Sequence, residues 1–442
     1  MTNRTCRIAR IGWVWCGVLT CALGSSDALG QTASLPEANG PVGTAPKSLE
    51  VARLDVVFPG ETPTLERVLA LASERAPEVA VARAELEASR SVAVGARVLP
   101  LQNPYLEVIA ERGGKGVTRD VYVTAQLHTP IEFAGQRGKR IAEAQSFVEW
   151  NAASFELMRA RVSGAVVQSY GECVTLAARY ETLAELLASA QTEATVLGAR
   201  RDAGDATERD AQLAELERSR IAVQIDETLA SLGAALNELA RLTGRRFGAP
   251  GRDISFPRVD VNVLSNSSAP AAPLVLGAEA EARYYARVDE RLHRERLPPI
   301  SVILQGGRGD FGETRLGAGL AWSLPAFRYN QGERARAQAD AQRARSTASA
   351  MKSSISQRLA AIAQEGVQLR TAVERLDRDA IPAAELATES ATRMQRAGKT
   401  DLLSVVVARR DFYVLRLRRH ELALRAWELL GEWVELTGRV PR

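Results

Sequence analysis

The sequence carries one long stretch twice, and nothing else in it limits the fold so strongly. Ala203-Gly204-Asp205-Ala206-Thr207 runs on to Leu242-Thr243-Gly244, and Ala397-Gly398-Lys399-Thr400-Asp401 runs on to Leu436-Thr437-Gly438. In each copy the two glycines stand 40 residues apart, and the copies are offset by 194 residues without a gap. Both begin after an arginine-rich helix end (Arg200 and Arg201; Arg393 and Arg396) and close on Leu-Thr-Gly-Arg. Register kept over that length indicates an internal duplication, so each half must be one structural unit that packs against its twin.

The apolar pattern sets the shape of that unit. In the first half, apolar residues recur every seven positions at Ile141, Val148, Phe155, Val162, Leu176, Leu183, Ala190 and Leu197, with Ser169 the one break. Such a run predicts a coiled-coil helix over 139–203, ~98 Å long at 1.5 Å per residue. The second half repeats it at Ile355, Ile362, Leu369 and Leu376, with Pro382 expected to kink the helix. Before each long helix the period changes to two. Val121, Val123, Ala125 and Leu127 alternate with Tyr122, Thr124, Gln126 and His128, and Gly113-Gly114-Lys115-Gly116 makes a turn. This is the signature of an amphipathic β-hairpin.

Organisation follows in order. Residues 1–30 read as a signal peptide, with a basic start at Arg4, Arg7 and Arg10, an apolar run, and small residues near Gly30. Val18-Leu19-Thr20-Cys21 offers an alternative, acylation at Cys21. Residues 31–63 read as a flexible leader rich in Pro, Gly, Ala and Ser. The first repeat spans 64–248, with hairpin 104–129, long helix 139–203 and return helix 206–242. A connector over 249–275 leads to the second repeat over 276–442, with hairpin 300–323, long helix 333–397 and return helix 400–438.

Composition excludes several function classes. The net charge of +4 falls to +2 once the first thirty residues are set aside, which gives no case for nucleic acid as a partner. Three of the four cysteines lie in the first 21 residues, and His128, His293 and His420 are far apart, so no resident metal centre, disulfide or cofactor is expected. No convergent titratable set suggests an enzyme. Past the amino-terminal segment no run reaches the ~18 apolar residues of a membrane helix. Four amphipathic strands in one chain cannot close a barrel, and lipid does not tolerate open sheet edges. Such a chain is expected to oligomerise.

These residues resemble the outer-membrane factors of the TolC family, the exit ducts of tripartite export machines. The resemblance is carried by the duplication, by Asn103-Pro104 before the first strand, by Pro130-Ile131-Glu132-Phe133-Ala134-Gly135-Gln136-Arg137 after it, and by AGKTDLLSVVVARRDFY from Ala397 to Tyr413. It implies an α+β membrane protein: a homotrimer with a twelve-stranded β-barrel in outer-membrane lipid and a helical tunnel in the periplasm. It implies a periplasmic adaptor and an inner-membrane pump, of RND type, as partners. Glu132, Gly135, Arg137 and Arg140 look most like the heavy-metal (CzcC-like) branch, with drug efflux and type I protein secretion as alternatives on the same fold. A non-transporting periplasmic coiled-coil scaffold is the reading from another class.

The resemblance places candidate tip and gate residues at Gly204, Asp205, Asp210, Gly398, Asp401, Ser404 and Arg409. The family often has acidic residues where this sequence has Ser404 and Val407, so Asp401, with Asp205 and Asp210, is expected to replace them, or else these carboxylates simply favour the following helix dipole. Arg409 is the residue expected to hold the tip closed. Candidate strand-to-helix exits are Pro130, Glu132, Gly135 and Arg137 in the first half and Pro325 and Gly332 in the second, with Glu132 and Arg137 expected to pair.

Overall fold

The structure, a computed structural model, describes residues 52–99, 102–113, 120–251, 257, 271–308, 313–325, 327 and 329–440. The signal segment, Cys21 and most of the connector lie outside the described residues. Each half begins with helical segments, continues through a hairpin into a long helix, and returns. The first half holds α1 (Leu54–Val57), α2 (Leu65–Arg75), α3 (Pro77–Ala96), β1 (Tyr105–Gly113), β2 (Asp120–Ile131), α4 (Gln136–Asp202) and α5 (Glu208–Thr243). The second holds α6 (Pro273–Arg294), β3 (Ile300–Arg308), β4 (Thr314–Trp322), α7 (Gln331–Arg375), α8 (Ile381–Arg396) and α9 (Leu402–Thr437).

The four strands form one antiparallel sheet in the order β1-β2-β3-β4. The two hairpins are therefore joined edge to edge, with Val123 opposite Arg308 and Ile131 opposite Ile300. Strict alternation sends Leu106, Val108, Val123, Leu304, Leu316 and Leu320 to one face, and several are largely exposed, Leu316 at 84% and Leu320 at 74%. The opposite face carries Glu107, Glu111, Thr124, Gln126, His128 and Gln305. A sheet with one bare apolar face, one polar face and two free edge strands is built to be completed by something else.

The helical part is centred on α4. Its expected heptad stripe is only part of the story: from Ala160 to Ala190 it is buried at Val166, Val167, Tyr170, Cys173, Val174, Ala177, Tyr180, Leu183 and Leu187, on more than one face. Several helices pack on it, so the middle is a core and not a single heptad seam. That core joins Val68 of α2, Leu232 and Leu239 of α5, Val275 of α6, Ile362 of α7 and Trp433 of α9. A second cluster runs along α4 and α5 through Leu183, Leu187, Ile221 and Ile225. Burial raises the Cys173 thiol above its ordinary pKa, leaving an inert apolar side chain.

Small residues bring α4 and α9 together. A Cβ on Gly171 would lie 2.1 Å from Cγ of Trp427, and one on Gly431 would lie 2.2 Å from Cγ of Gln168. Only glycine fits at these crossings.

Several expectations need correction. Residues 52–63 of the expected leader are packed and not flexible: Leu54 and Phe58 lie against the core, the Gly248 amide donates to Glu61 O at 3.0 Å, and the Tyr180 hydroxyl donates to Ala52 O. Two apolar anchors outweigh its loop-like composition. Helix α6 starts at Pro273, with proline at its first position, where the missing N–H costs nothing. The second long helix is not continuous over 333–397. A π-turn at Leu376–Ala380 separates α7 from α8, and the Ile381 amide bonds Leu376 O. Pro382 has no N–H and its ring crowds the carbonyl four residues back, and the wider turn accommodates both. Among the described residues no helix is long and apolar enough to cross a membrane.

Candidate functional site

The two helix tips are built alike. Ala203-Gly204 and Ala397-Gly398 end α4 and α8 with glycine in the left-handed region, at φ of 81° and 69°. The Asp205 amide donates to Arg200 O at 2.7 Å and the Lys399 amide to Met394 O at 2.9 Å, while Gly204 and Gly398 donate to Arg201 O and Gln395 O, each at 3.0 Å. These are Schellman closures, in which carbonyls left over at the helix end find amides past the turn.

The return helices then start with different caps, a threonine in one and an aspartate in the other. At α5 Thr207 is the cap: the Asp210 amide donates to its hydroxyl at 3.2 Å, and that hydroxyl donates to the Asp210 carboxylate at 2.7 Å. At α9 Asp401 is the cap: the Ser404 amide and hydroxyl both donate to Asp401 Oδ1, at 3.0 and 2.5 Å. Ser404 hydroxyl and amide hold the Asp401 carboxyl below its usual range, so it is anionic at neutral pH. Asp210 and Asp401 thus take part in the caps that start the return helices. Asp205 lies in the turn itself and is exposed, its amide engaged at the closure.

A ladder of polar contacts ties α9 to its neighbours above the tip. The Arg409 guanidinium donates to the Glu193 carboxylate and the Ser189 hydroxyl of α4. Higher up, Arg416 pairs with Glu185, and Arg419 pairs with Asp377 of the π-turn at 2.7 Å. His420 Nε2 lies 3.0 Å from the Thr182 hydroxyl, which itself donates to Ala178 O. Burial, reinforced by Arg419, Arg416 and Arg179, lowers the His420 pKa to about 4, so the ring is neutral. Burial raises the Glu193 carboxyl above its usual range, with Arg409 opposing that shift.

At the exits, the structure pairs different residues from those expected. Glu132 meets Arg140 at 2.7 Å, not Arg137, and both side chains are buried, 6% and 13% exposed. One helical turn past the strand, Arg140 can reach back along the chain; it also donates to Ala96 O and Val98 O, at 3.2 and 3.1 Å. Arg137 reaches the same segment and donates to Arg97 O at 2.9 Å. Pro130 belongs to β2, opposite Ser301, and is buried at the strand's end. Gly135 starts α4 at φ 75°. Its counterpart is not Gly332, which is the second residue of α7 with open space around it, but Asn330 at φ 63°. Pro325 follows β4, half-buried.

Sequence reasoning missed the glutamines that follow these left-handed residues. Gln136 Oε1 accepts from the Ala134 amide and Gln331 Oε1 from the Tyr329 amide, each at 2.9 Å. Gln136 also donates to Leu297 O of the other half at 2.6 Å. The signal was available: Gly135-Gln136 and Asn330-Gln331 align on the glutamine, and Asn is the non-glycine residue that best tolerates that conformation. Glu193, Ser189 and Asp377 had no such signal, being ordinary helix residues far away in sequence.

A sheet that continues into helices of this length is the architecture of outer-membrane channels. The chain superposes on the outer membrane protein VceC of Vibrio cholerae with a TM-score of 0.68 over 85% of this chain and 97% of that one, at 18% identity. The open state of the MtrE outer membrane channel of Neisseria gonorrhoeae gives 0.66 over 90% and 97%, at 17% identity. The fold is thus that of these outer-membrane channels. In sequence the chain is similar to the cobalt-zinc-cadmium resistance protein CzcC of Cupriavidus metallidurans, 28% identical over 372 residues, which is 82% of this chain and 87% of that protein. No family model matches the chain.

Proposed function

We propose that this protein is the outer-membrane exit duct of a tripartite efflux system. It would work as a passive homotrimeric channel that carries heavy-metal cations from an inner-membrane pump of RND type and a periplasmic adaptor to the cell exterior. The observation that carries this is the sheet: four strands with a bare apolar face and two free edges run directly into the long helices. Three copies would bring twelve strands, a size at which outer-membrane barrels close, with apolar faces in lipid and polar faces lining water. The likeness to CzcC supports metal cations over drugs or proteins as cargo. A soluble coiled-coil scaffold would leave the apolar sheet face unexplained.

The tips at Gly204 and Gly398 serve as the periplasmic entrance in this reading, with Asp401 and Asp210 facing incoming cations and the Arg409–Glu193 contact holding α9 against α4 in the closed state. Asp205 adds charge at the first tip. The sequence carries no P-loop motif, and in this reading pump and adaptor supply the energy. The test is single-channel conductance of detergent-extracted protein in a planar bilayer, beside Asp401→Ala. Cation-preferring steps whose selectivity falls in the variant are expected. A well-folded protein that never conducts would refute the duct, and unchanged selectivity would remove Asp401 from the entrance.

A further inference from the structure

The polar face of the sheet holds one contact that neither strand pairing nor barrel closure requires. His128 on β2 is only 8% exposed, lying flat against Tyr105 with ring centroids 4.4 Å apart and planes 6° from parallel. Its Nε2 has no hydrogen-bond partner among the described residues. The nearest charged atom is Oε2 of Glu107, at 3.5 Å, on a side chain that is about half exposed on the same face. A buried ring nitrogen without a partner is costly unless something else meets it.

The separation fits a shared cation better than a hydrogen bond. Histidine nitrogen and carboxylate oxygen bind Zn²⁺ at about 2.0–2.2 Å, so two such donors at a tetrahedral angle stand about 3.4 Å apart. With the proton on Nδ1, Nε2 offers a lone pair toward the carboxylate. Tyr105 fixes the ring, and the register fixes the spacing, since Tyr105 is opposite His128 and Glu107 opposite Gln126. Glutamines continue the polar row across the sheet, Gln126 opposite Gln305.

We propose that Glu107 and His128 form a two-ligand site for a divalent transition-metal cation on the water-facing side of the sheet. The site rests on the duct reading for its place in the lumen and deepens it by giving the cargo a point of contact inside the channel. Two protein ligands leave the remaining positions to water. Among the described residues no third His, Cys, Asp or Glu converges there, so the site binds and releases and does not trap. Among the described residues only the first hairpin carries such a pair, giving one site per chain and three around a trimeric lumen.

The test uses tag-free, full-length protein in detergent, titrated with Zn²⁺ by calorimetry and with Co²⁺ by visible absorption. One equivalent of Zn²⁺ per chain is expected. Affinity should fall at least tenfold in His128→Gln and in Glu107→Gln, with loss of the Co²⁺ ligand-field bands. Glu111→Gln removes an equal charge from the same strand face and should leave binding unchanged. No binding by the native protein, unchanged affinity in both ligand variants, or an equal loss in Glu111→Gln would each overturn the site. Glu107 is exposed and its replacement isosteric, so that variant reports even where the His128 variant folds poorly. Conductance of the same samples separates the two readings: conducting protein without a zinc site refutes only the site, whereas folded protein that does not conduct refutes the duct.

Discussion

Replacing Arg409 by alanine tests how far one contact controls the helix tips. Arg409 and Glu193 are 26% and 15% exposed, between a solvated pair and a fully buried one. Removing one partner from a buried pair costs about 3–5 kcal/mol, and surface pairs contribute about 0–1 kcal/mol. This geometry therefore places Arg409→Ala at roughly 1.5–2.5 kcal/mol, or roughly 10- to 70-fold in the local opening equilibrium. Hydrogen exchange read by mass spectrometry should show that loss of protection over residues 186–200 and 402–412, with the core around Trp433 unchanged. The sign with pH also follows. Glu193 already titrates above its usual range because of burial, and losing Arg409 raises it further. The penalty of the variant is complete above the folded-state pKa and shrinks as acidification protonates Glu193. Pairing the change with Glu193→Gln should restore protection at neutral pH and abolish the pH dependence. Protection within twofold of native, or a loss that acid does not relieve, would refute the reasoning.

Other perturbations have equally definite outcomes. Gly171→Ala forces a methyl group onto Trp427 and should lower thermal stability by roughly 1–3 kcal/mol, whereas Gly198→Ala, in the same helix with open space around it, should be neutral or stabilising by up to about 1 kcal/mol. Asn330→Ala should cost about 1 kcal/mol in a thermal melt, and Asn330→Gly should cost less, because φ there is positive. His420 has a folded pKa of about 4 against 6.5 unfolded, so the unfolded chain binds the extra proton between those values. Stability should fall by roughly 2–3 kcal/mol as pH drops from 6.5 toward 4, and His420→Gln should flatten that slope in urea melts.

Much of the architecture is legible in the sequence because duplication and period are local signals. The glycines at 204 and 398, the strands at Val121 to Leu127 and the proline break near 382 each announce themselves within a few residues. Pairing between the halves does not: nothing in β2 or β3 alone says that Val123 meets Arg308. The order in residues 52–61 was hidden because its anchors, Leu54 and Phe58, are only two apolar side chains in loop-like surroundings. Glu132 shows the limit at the site. Arg137 and Arg140 are both within reach along the chain, and only the helix phase, set by Gly135, decides that Arg140 turns toward it. Likewise, Arg409 advertised a polar contact, but its partner on α4 lies more than two hundred residues away.

The tight crossing of α4 and α9 at Gly171 and Trp427 sets a mechanical ratio for the whole shaft. From Gly171 to the end of α4 at Asp202 is a lever arm of ~46 Å at 1.5 Å per residue. Turning by about 6° at the crossing sweeps the far end through about 5 Å, a bend that long helices absorb without breaking hydrogen bonds. In the proposed duct the tips would thus move apart by several ångströms while the side chains at the pivot slide by a fraction of an ångström. Stiffness at the middle and travel at the end are the same property, measured at two radii.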